Sequence, residues 1–128
     1  MTHVIDASSI IRLIELNPAN AISIVNNQYT VDLVQYEIGN YLWKLRKLTS
    51  INMDTLFNAF NRLLNLLKII PIGLNYEVLN LAMNTNITYY DAAYVHLAMK
   101  LNAKLITEDN ELLSKFPTLA VSIEELLH

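Results

Sequence analysis

Four acids, Asp6, Glu37, Asp91 and Asp109, fall where the sequence pattern begins or ends a regular element. Asp6 closes the apolar opening Val4-Ile5, and Asp109 comes just after Leu105-Ile106-Thr107. Glu37 sits in the second turn of an amphipathic run, and Asp91 follows Thr88 at a helix-opening spacing. The chain has no cysteine, and His3, His96 and His128 are dispersed over a strand, a helix and the C-terminus. Oxygen donors without soft ligands suit a hard divalent cation, Mg2+ or Mn2+. Ser8 and Thr107 would add hydroxyls beside the aspartates, and Asn40 an amide one turn beyond Glu37.

Each acid also has a purely structural role open to it. Asp91 completes a capping box with Thr88, Asp109 or Asn110 caps the helix that follows, and Asp6 caps the first helix. Glu37, with Asn40 and Lys44, belongs to the polar face of its helix. Whether the four act together depends on the elements that carry them.

Thr2 to Asp6 reads as a short strand, and Ser8 or Ser9 as the cap of a helix running to Leu16. Asn17-Pro18 breaks it before a short helix over 19–26 and a strand over 28–31. Long amphipathic helices are predicted over 33–48 and 53–67, separated by a Thr49-Ser50 turn. A strand over 69–72, a helix over 75–85 and a Thr88-capped helix to Leu101 follow. The chain closes with a buried strand over 103–107, a helix over 111–115, an edge strand over 119–121 and a last turn capped by Ser122. Short apolar strands alternating with helices, without a hairpin signal, predict a three-layer α/β/α sandwich around a mostly parallel sheet. In such a sheet ligands bind beyond the carboxyl ends of the strands, where Asp6 and Asp109 would lie. If the helix starts bearing Asp91 and Glu37 face that edge, all four carboxylates converge, and their repulsion calls for a cation.

The 128 residues allow one domain, 1–128. A 53% hydrophobic content exceeds what one small core needs, yet charges and prolines interrupt every apolar run before membrane-spanning length. The excess fits a subunit interface. The absence of cysteine and of a leader-like N-terminus points to the cytoplasm. A net charge of −3 argues against coating of nucleic acid by bulk electrostatics, but not against a nuclease. Two glycines rule out glycine-rich phosphate loops. No serine stands in a nucleophile elbow with a paired histidine, which argues against acyl transfer. Lys44, Arg46 and Lys47 form the densest basic cluster, by default a solvated helix end. Asparagine is frequent but scattered and reads as background composition.

The segments V-I-D-A-S-S-I-I, V-Q-Y-E-I-G-N-Y-L and Y-Y-D-A-A-Y-V-H-L-A-M-K-L-N-A-K-L-I-T-E-D together resemble PIN-domain ribonucleases, in particular the VapC-type toxins of toxin–antitoxin pairs. The resemblance implies that Asp6, Glu37, Asp91 and Asp109 bind metal, with Ser8, Asn40 and Thr107 in support. Glu111 falls where some members carry a further acid, and Glu108 competes with Asp109 for the fourth position. It also implies an RNA substrate, cleavage dependent on Mg2+ or Mn2+, a homodimer and a cognate antitoxin, without a membrane. Two rivals remain: a PIN-like interaction module without catalysis, and a Mg2+-dependent phosphoryl-transfer domain. The latter wants a lysine at a strand end, and none follows Thr107-Glu108-Asp109.

Overall fold

The computed structural model describes residues 2–48 and 50–127. Five short strands form one sheet: β1 (His3–Ile5), β2 (Tyr29–Val31), β3 (Lys68–Ile70), β4 (Lys104–Ile106) and β5 (Ala120–Val121). Their order is β3-β2-β1-β4-β5, and every neighbouring pair is parallel. Eight helices among the described residues connect them: α1 (Ala7–Leu16), α2 (Pro18–Val25), α3 (Leu33–Leu45), α4 (Met53–Leu66), α5 (Tyr76–Thr85), α6 (Tyr89–Leu101), α7 (Asn110–Lys115) and α8 (Ile123–Leu126). This is the predicted three-layer α/β/α sandwich.

Successive strand residues point to opposite faces, and each face has its own core. Val4, Val31 and Leu105 meet Val78 of α5 and Ala92, Val95 and Ala98 of α6. Ile5 and Ile106 meet Ile10 and Leu13 of α1, Val34 and Ile38 of α3, and Phe60 of α4. The alanines let α6 lie close across β1, β2 and β4, which brings its N-terminus to the carboxyl edge of the central strands.

Several boundaries differ from the sequence reading, each for a local reason. Asp6, not Ser8 or Ser9, caps α1: its Oδ1 accepts from the Ser9 N–H at 3.1 Å. α3 stops at Leu45 rather than 48, where Arg46 folds back to the Trp43 carbonyl (2.8 Å) and stacks 3.8 Å over the Trp43 ring. That contact places Arg46 at the helix end. β3 spans 68–70 instead of 69–72, because Pro71 has no N–H to continue the ladder. Ser122 makes no capping bond to α8, and Glu108 Oε2 accepts from the Ile123 N–H at 3.0 Å instead. Of the expected Thr49-Ser50 turn, Thr49 lies outside the described residues, as does His128. Five asparagines have structural roles: Asn17, Asn52 and Asn75 cap helix starts, while Asn86 (φ 55) and Asn102 (φ 52) end helices in the left-handed region, where glycine usually stands.

Candidate active site

Asp6 follows β1 and is buried at 6% exposure. Its Oδ1 accepts from Ser8 Oγ (2.6 Å) and the Ser9 N–H (3.1 Å), and its Oδ2 accepts from the Thr107 hydroxyl beyond β4. Desolvation pushes its pKa up to about 7 against these three bonds, with Glu37 adding repulsion. Thr107 also accepts from the Asp109 N–H (3.1 Å), so one hydroxyl joins the two strand-end aspartates. Ser8 and Thr107 thus stand where the sequence reading put them.

Glu37 is half-buried on α3, and its Oε1 accepts from the Tyr94 hydroxyl at 2.6 Å. Burial raises its pKa, the Tyr94 bond opposes this, and Asp91 raises it further. Asp91, in the first turn of α6, is raised by burial and then by Asp109, with Glu111 as a smaller cause. Its N–H donates to the Thr88 hydroxyl (3.1 Å), so the capping role and the place at the edge coexist. Asp109 caps α7 through the Leu112 N–H (3.1 Å). Asn40 is exposed a turn beyond Glu37 and has no hydrogen bond to the acids among the described residues.

The acids therefore form a row along the carboxyl edge, each raising the next: Glu37 acts on Asp6, Asp91 on Glu37, and Asp109 on Asp91. The row is not the closed cluster expected. Among the described residues no three Asp, Glu or His side chains are gathered tightly enough to grip an ion. Each of Asp6, Glu37 and Asp109 has an oxygen turned to a hydroxyl or N–H of its own element or neighbour. The donor set nonetheless fits a hard cation: all oxygen, mutually repelling, and without a cationic partner among the described residues. The two ion pairs among the described residues, Arg12–Glu124 (3.3 Å) and Glu111–Lys115 (3.4 Å), reach none of the four.

Glu111 is thus held to Lys115, whose ammonium also donates to the carbonyls of Thr85 and Asn86 at the end of α5. Glu108 turns away from the row. Its Oε2 binds Ser9 Oγ (2.6 Å) and the Ile123 N–H (3.0 Å), tying α1 to α8. Two residues escaped the sequence reading. Tyr94 is buried, and burial, then Glu37 and Asp6, raise its pKa strongly. Asp32 ends β2 as Asp6 ends β1, a signal present in Thr30-Val31-Asp32.

Residues 3–123 match the family model described as PIN domain. The chain is a PIN domain. It is 36% identical to Ribonuclease VapC3 of Pyrobaculum aerophilum, an alignment covering 93% of this chain and 98% of that protein. It is 34% identical to Exonuclease VapC9 of the same organism over 74% of this chain and 71% of that one. This PIN domain is accordingly of the VapC type. The crystal structure of PAE2754 from P. aerophilum superposes with a TM-score of 0.87 at 29% identity, covering 99% of this chain and 87% of that one. The crystal structure of VapBC2 from Rickettsia felis bound to a promoter DNA fragment gives 0.70 at 16% identity, over 95% and 98%, a likeness of fold.

Proposed function

We propose that this PIN domain is a divalent-metal-dependent endoribonuclease, the toxin of a VapBC-type pair, working as one domain over residues 1–128 in the cytoplasm. The observation that carries the reading is the row of four mutually repelling carboxylates without a cationic partner among the described residues. Asp6, Glu37, Asp91 and Asp109 would hold Mg2+ or Mn2+. When bound, the cation supplies charge for the phosphodiester oxygens and lowers the pKa of water for attack. Ser8 and Thr107 fix the Asp6 carboxylate, and Tyr94 orients Glu37 by donating to Oε1. Asp91, part-exposed like Glu37 and Asp109, would meet substrate and accept a proton from water. Asn40 would support from the rim.

The nuclease names of the two relatives support this reading, as does the VapBC pairing of the Rickettsia neighbour for an antitoxin partner. Exposed Tyr76, Leu79 and Met83, spaced along α5, with Met99 on α6, support a homodimer through an apolar helix face. No helix among the described residues is long and apolar enough to cross a membrane.

The test uses a circular single-stranded RNA, which has no ends for an exonuclease. Linearisation with Mn2+, none in EDTA, and Asp91→Asn slower by about 100-fold or more is the expected result. Undiminished cutting in EDTA would remove the metal from the proposal, and a fully active Asp91→Asn would remove the acid row.

A further inference from the structure

The same sheet edge carries a pocket beside the row. Asp32 occupies the N-cap position of α3, yet its side chain makes no capping hydrogen bond. It lines a cavity of about 220 Å3 together with Tyr36, Tyr89, Tyr90, Ile72 and Gly73. Tyr89 forms a fixed wall: its hydroxyl accepts from the Asn75 N–H (2.8 Å) and donates to the Gly73 carbonyl (2.5 Å), holding a turn in which Gly73 adopts φ +64. Tyr36 and Tyr90 are 76% and 62% exposed, and each immediately precedes an acid of the row, Glu37 and Asp91. Drug-sized ligand sites run to about 300–1,000 Å3, so this cavity suits one flat ring system rather than a whole nucleotide.

We propose that this pocket takes an unpaired guanine of the RNA, stacked on Tyr36 and Tyr90, with its Watson–Crick edge on the Asp32 carboxylate. The inference rests on the ribonuclease reading and specifies its substrate. A phosphate is repelled by Asp32 and by the adjacent acids, so a neutral base is the part of RNA that enters. Aromatic faces accept any base. A carboxylate accepts hydrogen bonds and donates none. Guanine alone among the four bases shows it two adjacent donors, N1–H and the N2 amine. Cytosine and adenine place a ring acceptor beside their amine, and uracil flanks its single N–H with two carbonyls. Each of these sets an acceptor against a carboxylate oxygen. The neighbouring positions of Tyr36 and Glu37, and of Tyr90 and Asp91, put the selected base close to the bond that is cut.

Fluorescence-anisotropy titrations in EDTA, where cleavage is suppressed, test this with short single-stranded RNAs varied at one position. Guanine should bind on the order of tenfold tighter than adenine, cytosine or uracil. Inosine, which lacks the N2 amine, should fall between. Asp32→Asn should erase the preference, and Tyr36→Ala or Tyr90→Ala should weaken every RNA about fivefold or more. The inosine comparison and an N1-methylguanosine RNA need only the wild-type chain, so a variant that fails to fold does not shield the idea. Equal affinity for all four bases, or a guanine preference that survives Asp32→Asn, overturns it. If Mn2+-dependent cleavage persists in that case, or persists although no RNA is bound in EDTA, the guanine pocket is overturned and the ribonuclease reading stands without it; if no RNA is bound or cut, both fall.

Discussion

β1 and β2 lie side by side and each runs into an aspartate, Val4-Ile5-Asp6 and Thr30-Val31-Asp32, yet the two carboxylates have opposite fates. Asp6 is buried and takes three hydrogen bonds, two of them from its own turn. Asp32 is half-buried and caps nothing. Backbone conformation explains the difference. Asp6 is extended (φ −92, ψ 173), which swings its side chain over the first N–H groups of α1. Asp32 is already helical (φ −58, ψ −22), so its carboxylate projects past the start of α3 into the tyrosine pocket. A strand end therefore sets which edge an acid serves, and the next turn sets whether it is committed or left for a ligand.

The widest gap between the two should come from matched Asp→Asn substitutions. Asp6→Asn sets an amide N–H2 against the Ser8 or Thr107 hydroxyl and removes charge from the floor of the row. RNA cleavage should drop on the order of 10³-fold, about 4 kcal/mol of barrier, with a clear fall in melting temperature at pH 5, where the Asp6 carboxyl is protonated and carries no buried charge for the substitution to relieve. Asp32→Asn breaks no described hydrogen bond, so its stability should stay within about 0.5 kcal/mol of the parent. Equal destabilisation by the two substitutions would erase the distinction between a committed and an open carboxylate.

Titration sharpens the same contrast. The Asp6 carboxyl holds its proton to about pH 7 in the folded chain, against about 3.9 when unfolded. Between those values the folded state binds the extra proton. Its stability is therefore complete below about pH 4 and declines as pH rises to 7, by up to about 4 kcal/mol. Glu37 and Asp91, raised by burial, act in the same direction. In EDTA the melting temperature should fall between pH 5 and pH 8, and Mn2+ should restore it at pH 8. A melting temperature that climbs over that interval would mean that Asp6 is ionised and stabilised by its three donors.

Much of this arrangement was legible in the sequence, because strand-end acids and helix-start spacings are local signals. Asp6, Asp91 and Asp109 lie at the edge their elements predict, and the parallel sheet follows from the alternation of short apolar strands and helices. Side-chain direction was not legible. Glu108 and Asp109 are neighbours with similar chemistry, and nothing in Thr107-Glu108-Asp109 says which turns inward. The answer lies in Ser9 and Ile123, distant in sequence, whose hydroxyl and N–H both converge on Glu108 Oε2. Nor did the sequence show that the acids form a row and not a clasp, since that depends on the hydroxyl or N–H each oxygen finds first.

Glu108 yields the next, smaller effect. Glu108→Ala leaves the Ser9 hydroxyl and the Ile123 N–H without their shared acceptor, for a loss of about 1–3 kcal/mol in chemical denaturation. Cleavage per folded molecule should hardly change, whereas Asp109→Ala should depress it strongly. The reverse pattern would exchange the roles assigned to the two neighbours.

The smallest change lies beneath the row. Tyr94 is 2% exposed, and its hydroxyl is the donor that favours the charged form of Glu37 against burial and Asp91. Tyr94→Phe keeps the ring and its packing in the core beneath α6 and removes that donor, at a cost of about 1 kcal/mol. Without it the Glu37 pKa rises further, so the acidic limb of the pH–rate profile should move to higher pH, with cleavage a few-fold slower near neutrality and less affected at alkaline pH. A ring that only packs would lower stability and leave the profile where it was. The pH shift therefore separates a positioning residue from a core residue, and it tests whether Glu37, like Asp6 and unlike Asp32, depends on a committed partner.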